Sequence, residues 1–187
     1  MTLTPINSGW IEVICGNMFS GKTEELIRRL RRAQIAKMST AIFKPRIDSR
    51  FSKDHIVSHN NNKLESLMIS HPNEILKLAK KYEVIGIDEV QFFDDSIVEV
   101  CKTLASQNKR IIAAGLDTDY LGQPFGPMPK IMCEADYLDK LRAICVSCGN
   151  PASYTQRTSS DHDQVVLGEL DKYEARCRNC FKLPKED

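Results

Sequence analysis

Residues 15 to 25 read CGNMFSGKTEE. Gly16, four further residues and then Gly21-Lys22-Thr23 is the spacing at which a glycine-rich turn presents successive backbone N–H groups to phosphate oxygens, at the positive end of a helix. Gly16, Asn17, Met18, Phe19, Ser20 and Gly21 make the turn. Lys22 then reaches the β and γ phosphates of a nucleoside triphosphate, and the Thr23 hydroxyl binds the magnesium that bridges them. Such a site needs an acid at the end of a second apolar strand, and VIGIDE supplies Asp88 followed at once by Glu89. Asp88 is expected to hold the magnesium, directly or through water. Glu89 then lies close to the γ phosphate, where a carboxylate can orient and deprotonate an attacking hydroxyl. The same loop serves ATPases, switches and kinases, and the same base could activate water, so a second pocket that presents an alcohol must decide.

A second constellation lies near the C-terminus. Cys145-x-x-Cys148 and Cys177-x-x-Cys180 are two short-range pairs separated by 28 residues. They form a tetrahedral thiolate site for zinc, and four protein ligands leave no open position, so the metal is expected to be structural. The long spacing makes the pairs an anchor for both ends of a projecting loop, suited to closing over a small ligand. The remaining cysteines, Cys15, Cys101 and Cys133, are expected to fill core space.

The elements that must position these residues follow from periodicity. Apolar runs at Trp10 to Cys15, Thr40 to Lys44, Val84 to Asp88 and Arg110 to Ala114 read as buried strands. Glu24 to Lys37, with Leu26, Leu30 and Ala33 at helical spacing, reads as a helix, as do Pro72 to Lys81 and Asp95 to Gln107, the last capped at Asp95-Ser96. Alternating strands and helices imply a parallel sheet covered on both faces. Pro45 to Ser70 is polar and reads in part as a loop, and Gly115 to Pro129 as an ordered loop leaving a strand. From about Ala143 the cysteine pairs dominate and helical periodicity ends.

Composition sets the outer limits. The chain has 187 residues, 42% of them apolar, and a formal charge of +1. It is long enough for one sizeable core with a small appended module, and it lacks the global positive field of a dedicated nucleic-acid binder. Residues 142 to 187 carry seven basic and seven acidic side chains, which suits neither DNA nor RNA backbones. RRLRR at 28 to 32 reads as the solvated or subunit-contacting face of the first helix. His55, His59, His71 and His162 have no ligand spacing among them. With no basic, apolar leader and no run long enough for a bilayer, the expected location is the cytoplasm, without membrane contact.

Taken together, GNMFSGKTEEL, FKPRIDSR, IDEVQFF, AAGLDTDYLGQPFGPMP, AICVSCGNPASYTQR and YEARCRNC give a chain that strongly resembles the type II thymidine kinases, the cytosolic zinc-containing family, from about Gly9 to Cys180. The resemblance implies a RecA-like P-loop α/β core over 9–142, preceded by a tail at 1–8 and followed by a zinc-binding lasso domain over 143–187. It implies ATP as phosphate donor and the 5′-hydroxyl of thymidine as acceptor, with Glu89 as general base. By the same resemblance Asp48 and Arg50 match positions near the phosphates and the acceptor end, Arg50 neutralising charge on the transferred group. Met18, Gln91, Phe92, Leu116, Tyr120 and Phe125 match positions around the base. Thr155, Val165, Val166 and Gly168 match the lasso that closes over the nucleoside, and Tyr173 the contact near the sugar's 3′-hydroxyl. A homotetramer, and feedback inhibition by thymidine triphosphate, are further implications. The rival reading is a zinc-ribbon P-loop ATPase acting on nucleic acid.

Overall fold

The computed structural model describes residues 8–46, 66–159 and 172–183. Its centre is a six-stranded sheet made of β1 (Trp10–Gly16), β2 (Thr40–Pro45), β3 (Ser66–Ile69), β4 (Val84–Ile87), β5 (Arg110–Gly115) and β6 (Tyr137–Leu141), in the order β3-β2-β4-β5-β1-β6. Every pairing is parallel. Side chains alternate between the two faces of a strand. Val13 and Ile111 therefore enter one apolar cluster with Ile97 and Leu104 of α3 (Ser96–Ser106), whereas Ile14 and Ile112 enter another with Leu26, Leu30 and Ala33 of α1 (Lys22–Ile35). Helices α2 (Asn73–Leu78) and α4 (Met128–Cys133) contribute Ile75, Met128 and Ile131 to the α3 side.

This is the expected α/β class, and its six-stranded sheet with the covering helices has three elements beyond those read from the pattern. β6 was hidden because it is an edge strand whose inner positions are exposed, so its sequence shows no apolar alternation. β3 is four residues long and follows a polar stretch. α4 begins within the proline-rich segment, where Pro129 stands in the first helical turn and forfeits no hydrogen bond. Asp95 makes no side-chain cap on α3; Asp94 Oδ1 accepts from Ser96 N at 2.8 Å instead. Cys15 and Cys101 are buried as expected, and burial pushes the Cys101 thiol up to about 12, but Cys133 is exposed at the end of α4. Within RRLRR, Arg29 is not a solvated residue. Its guanidinium donates to Glu12 Oε2 at 2.7 Å, Glu25 Oε1 at 2.8 Å and Asp139 Oδ2 at 2.5 Å, tying α1 to β1 and β6.

Parallel strands send their C-terminal ends to one edge, where ligands of open α/β sheets bind. β1 runs into the glycine turn, β4 into Asp88 and Glu89, and β5 into residues 116–127. After β6 the chain builds two small antiparallel ladders, β7 (Ala143–Ile144) with β8 (Pro151–Ala152), and β9 (Tyr154–Arg157) with β10 (Tyr173–Arg176). Among the described residues, they share an apolar cluster of Ala143, Ala152 and Ala175 with Cys145, Cys177 and Cys180. No helix among the described residues is long and apolar enough to cross a membrane.

Candidate active site

The glycine turn is shaped by backbone that side-chain-bearing residues rarely adopt. Gly16 has φ 142, and a Cβ there would stand 2.4 Å from Leu141 O, so the turn closes against β6 only because Gly16 has none. Phe19, at φ 66, is a non-glycine residue in the left-handed region, a strain that marks functional turns. Asn17 is the hub of the loop. Its carbonyl accepts from Lys22 Nζ at 2.7 Å and from Ser20 Oγ at 2.8 Å, and its side chain, fully buried, donates to Tyr154 O at 3.3 Å. Lys22 thus begins folded back on its own loop. Burial pulls its pKa down, against the raising pull of Glu89 and Asp88.

Asp88 is 2% exposed and central to the charge arrangement. Its carboxylate accepts from Thr23 Oγ1 at 3.3 Å and pairs with Lys44 Nζ at 2.8 Å, while its backbone N–H bonds Phe43 O at 2.9 Å. Lys44, at the end of β2, escaped sequence reading because a lysine closing an apolar strand carries no signal of what it will pair with. The Thr23 hydroxyl and Asp88 carboxylate converge beside the glycine turn, two oxygen donors of the kind that could hold magnesium.

Glu89 also stands in the left-handed region, at φ 56 and ψ 41, immediately after the strand. Gln91, itself buried, holds it: Gln91 Oε1 accepts from Leu116 N at 2.9 Å, which turns Nε2 toward Glu89 Oε2 at 2.5 Å. Burial, then the neighbouring Asp88 charge, raises the Glu89 pKa, while Gln91, Lys22 and Lys44 oppose the rise. A carboxylate of raised proton affinity beside a lysine and a phosphate cradle can accept a proton from an alcohol at neutral pH. Gln91, which the resemblance sets against the base, is here the residue that aims Glu89. Replacing it with methionine removes a hydrogen bond that favours the charged carboxylate. The Glu89 pKa then rises further, and the acid limb of the kcat/KM profile moves to higher pH. The expected loss is about tenfold at the acid end, with recovery on the alkaline side. A uniform loss across pH would contradict this role.

The positions matched to the base pocket gather on the same edge. Phe92 and Phe125 meet edge to face, with centroids 5.6 Å apart. Gly126, at φ 51, permits this: a Cβ there would lie 2.3 Å from Gln91 O, so the loop after β5 could not rest on the turn after β4. Met18 N donates to Thr155 Oγ1 at 3.0 Å. Tyr120 and Tyr173 are joined by Arg157, whose guanidinium carbon is 3.5 Å from the Tyr120 ring centroid and whose Nη2 donates to Tyr173 Oη at 2.8 Å. Arg157 is buried, and the local sequence carries no signal of this side-chain role because both ring partners are distant along the chain. Leu116 is half-buried beside Gln91. Asp48, Arg50, Val165, Val166 and Gly168 lie outside the described residues.

The sulfurs of Cys145, Cys148, Cys177 and Cys180 all lie within 4.8 Å of one another, and Cys148 Sγ is 3.6 Å from Cys177 Sγ. Ligands about 2.3 Å from a tetrahedral centre stand about 3.8 Å apart, so the donor set fits zinc.

The thymidine kinase family model matches residues 9–181. A thymidine kinase of Rhodothermus sp. (strain ITI 518) is 55% identical over 177 residues, covering 95% of this chain and 83% of its own. A thymidine kinase of Bacteroides thetaiotaomicron is 51% identical over 173 residues, covering 92% of this chain and 87% of its own.

Proposed function

The chain belongs to the thymidine kinase family, and on that premise we propose that it transfers the γ-phosphate of ATP to the 5′-hydroxyl of thymidine, and of deoxyuridine less well, giving the monophosphate. The observation that carries the reading is the Glu89 carboxylate, held by Gln91 between the phosphate turn and the Phe92–Phe125 pair. A base aimed at that junction has an alcohol to act on as well as a phosphate to send it to. The rival nucleic-acid ATPase has no support from the family match or from the evenly charged C-terminal segment.

In this mechanism Lys22 leaves the Asn17 carbonyl for the β and γ oxygens when ATP enters, trading one acceptor for a doubly charged one. The Thr23 hydroxyl and the Asp88 carboxylate would hold magnesium, whose charge would neutralise the phosphates when it is bound. Glu89 accepts the 5′-hydroxyl proton as the new O–P bond forms and the bridging oxygen departs with ADP. Arg50 and Asp48 belong to the phosphate end. Met18, Leu116, Tyr120, Phe92 and Phe125 enclose the pyrimidine. Thr155, Val165, Val166 and Gly168 close over its edge, with Tyr173 toward the sugar. Zinc on the four cysteines is structural. The division into a 9–142 core and a 143–187 lasso domain, a cytoplasmic homotetramer, and inhibition by thymidine triphosphate belong to the same proposal. The inhibitor's base fills the lasso pocket while its phosphates occupy the donor cradle.

The test is a panel of deoxynucleosides with magnesium-ATP. Thymidine should be phosphorylated best and deoxyuridine, short of one methyl, about 10- to 200-fold less efficiently, with purines rejected by size. Preference for a purine, or no monophosphate at all, would overturn the reading.

A further inference from the structure

The zinc module touches the phosphate turn directly, by two separate routes. Along the first, Cys177 directly follows β10, in which Ala175 is the register partner of Thr155 on β9, and Thr155 Oγ1 accepts the Met18 N–H at 3.0 Å. Along the second, Phe181 follows Cys180, its N–H bonds Cys177 O at 2.9 Å, and its ring stacks on Tyr154 with centroids 4.6 Å apart and planes 19° from parallel. The Tyr154 carbonyl then accepts from Asn17 Nδ2 at 3.3 Å. Both routes end on the first half of the turn, Asn17 and Met18.

That half shapes the rest. The Asn17 carbonyl sets where Lys22 and Ser20 rest, so its position fixes the starting geometry of the lysine that must meet the phosphates. The turn also contains a strained residue, Phe19, and strained backbone persists only where its surroundings over-determine it. β1 supplies one side of that restraint and β9 the other. Thr155 is nearly fully buried, so its hydroxyl is not exchanging with water, and loss of the acceptor leaves the Met18 N–H without one.

We propose that the zinc module is a structural part of the ATP site, with Thr155 a positioning residue that holds the phosphate turn in its binding shape before any nucleoside arrives. This rests on the donor-site reading above, and adds to it a duty for Thr155 that is independent of the base pocket. Valine keeps the shape and methyl group of Thr155 and removes the acceptor.

The experiment measures binding of the magnesium complex of a non-hydrolysable imido analogue of ATP to full-length, zinc-loaded protein without nucleoside. Thr155→Val should weaken it about 3- to 10-fold, the equivalent of one buried hydrogen bond, and Thr155→Ser should restore it. Phe181→Leu, a half-buried position outside both substrate sites, should weaken it about 2- to 5-fold through loss of the ring stack, with zinc content unchanged. Wild-type affinity in both Thr155→Val and Phe181→Leu would overturn the inference alone. A wild-type protein that fails to bind the analogue would overturn the donor-site reading and this inference together.

Discussion

Glu89→Gln should reduce kcat by about 10²- to 10⁴-fold, the range over which a positioned general base contributes. The substitution is chosen so that little else changes. An amide oxygen at the same place still accepts from Gln91 Nε2, so the turn after β4 keeps its shape, and the Phe92–Phe125 pair is untouched. Thymidine affinity should therefore stay within about threefold of wild type, since no group facing the base is altered. ATP binding should hold or tighten, because a negative charge beside the γ-phosphate has been removed. The pH profile gives a second check. Burial and Asp88 raise the Glu89 pKa, and the carboxylate works as a base only when ionised, so wild-type kcat/KM should fall as pH drops through a value above the ordinary carboxylate range. The variant should lack that limb. A variant retaining kcat within about threefold of wild type would remove Glu89 from the proton path.

Removal of zinc should have the second large effect, and the size of the module's core is the reason. Among the described residues, the apolar cluster around the cysteines adds to them only Ala143, Ala152 and Ala175. At about 0.8 kcal/mol per buried methyl group, three alanines supply that cluster with only roughly 2–3 kcal/mol. Structural zinc supplies about 10–16 kcal/mol in small peptides, so loss of zinc from the four cysteines is expected to unfold the module. Stripping the metal, or Cys177→Ser, should make the segment after residue 143 sensitive to protease while the main sheet, with its own two apolar clusters, resists. Thymidine kcat/KM should fall by at least about 100-fold, because the lasso loses both anchors and its bound geometry with them. ATP affinity should fall as well, by a smaller factor, through Asn17 and Met18. A metal-free protein with normal thymidine KM would rule the clamp out.

Much of this site was legible in the chain because its chemistry is local. The glycine turn, the Asp88-Glu89 step and both cysteine pairs each fit within a few residues, and each needs particular side chains at fixed spacing. What the sequence could not show is long-range. Lys44 meets Asp88 across neighbouring strands, Arg157 joins Tyr120 to Tyr173, and Thr155 reaches Met18 over 137 residues. Pairings of this kind depend on register and loop path, which periodicity does not encode. Edge strand β6 was missed for the opposite reason: its residues satisfy the sheet through backbone bonds, with mostly exposed side chains. Cys133 reads as apolar filler, yet it terminates a short helix on the exposed side.

In the proposed reaction a carboxylate and a metal-pinned flap direct the last phosphate of ATP onto a sugar alcohol and away from water. Following a label in the γ-phosphate addresses it most directly. With magnesium and thymidine present, the label should appear in thymidine monophosphate, and release as inorganic phosphate should remain a minor fraction. Label recovered chiefly as inorganic phosphate, at a rate indifferent to thymidine, would contradict the account.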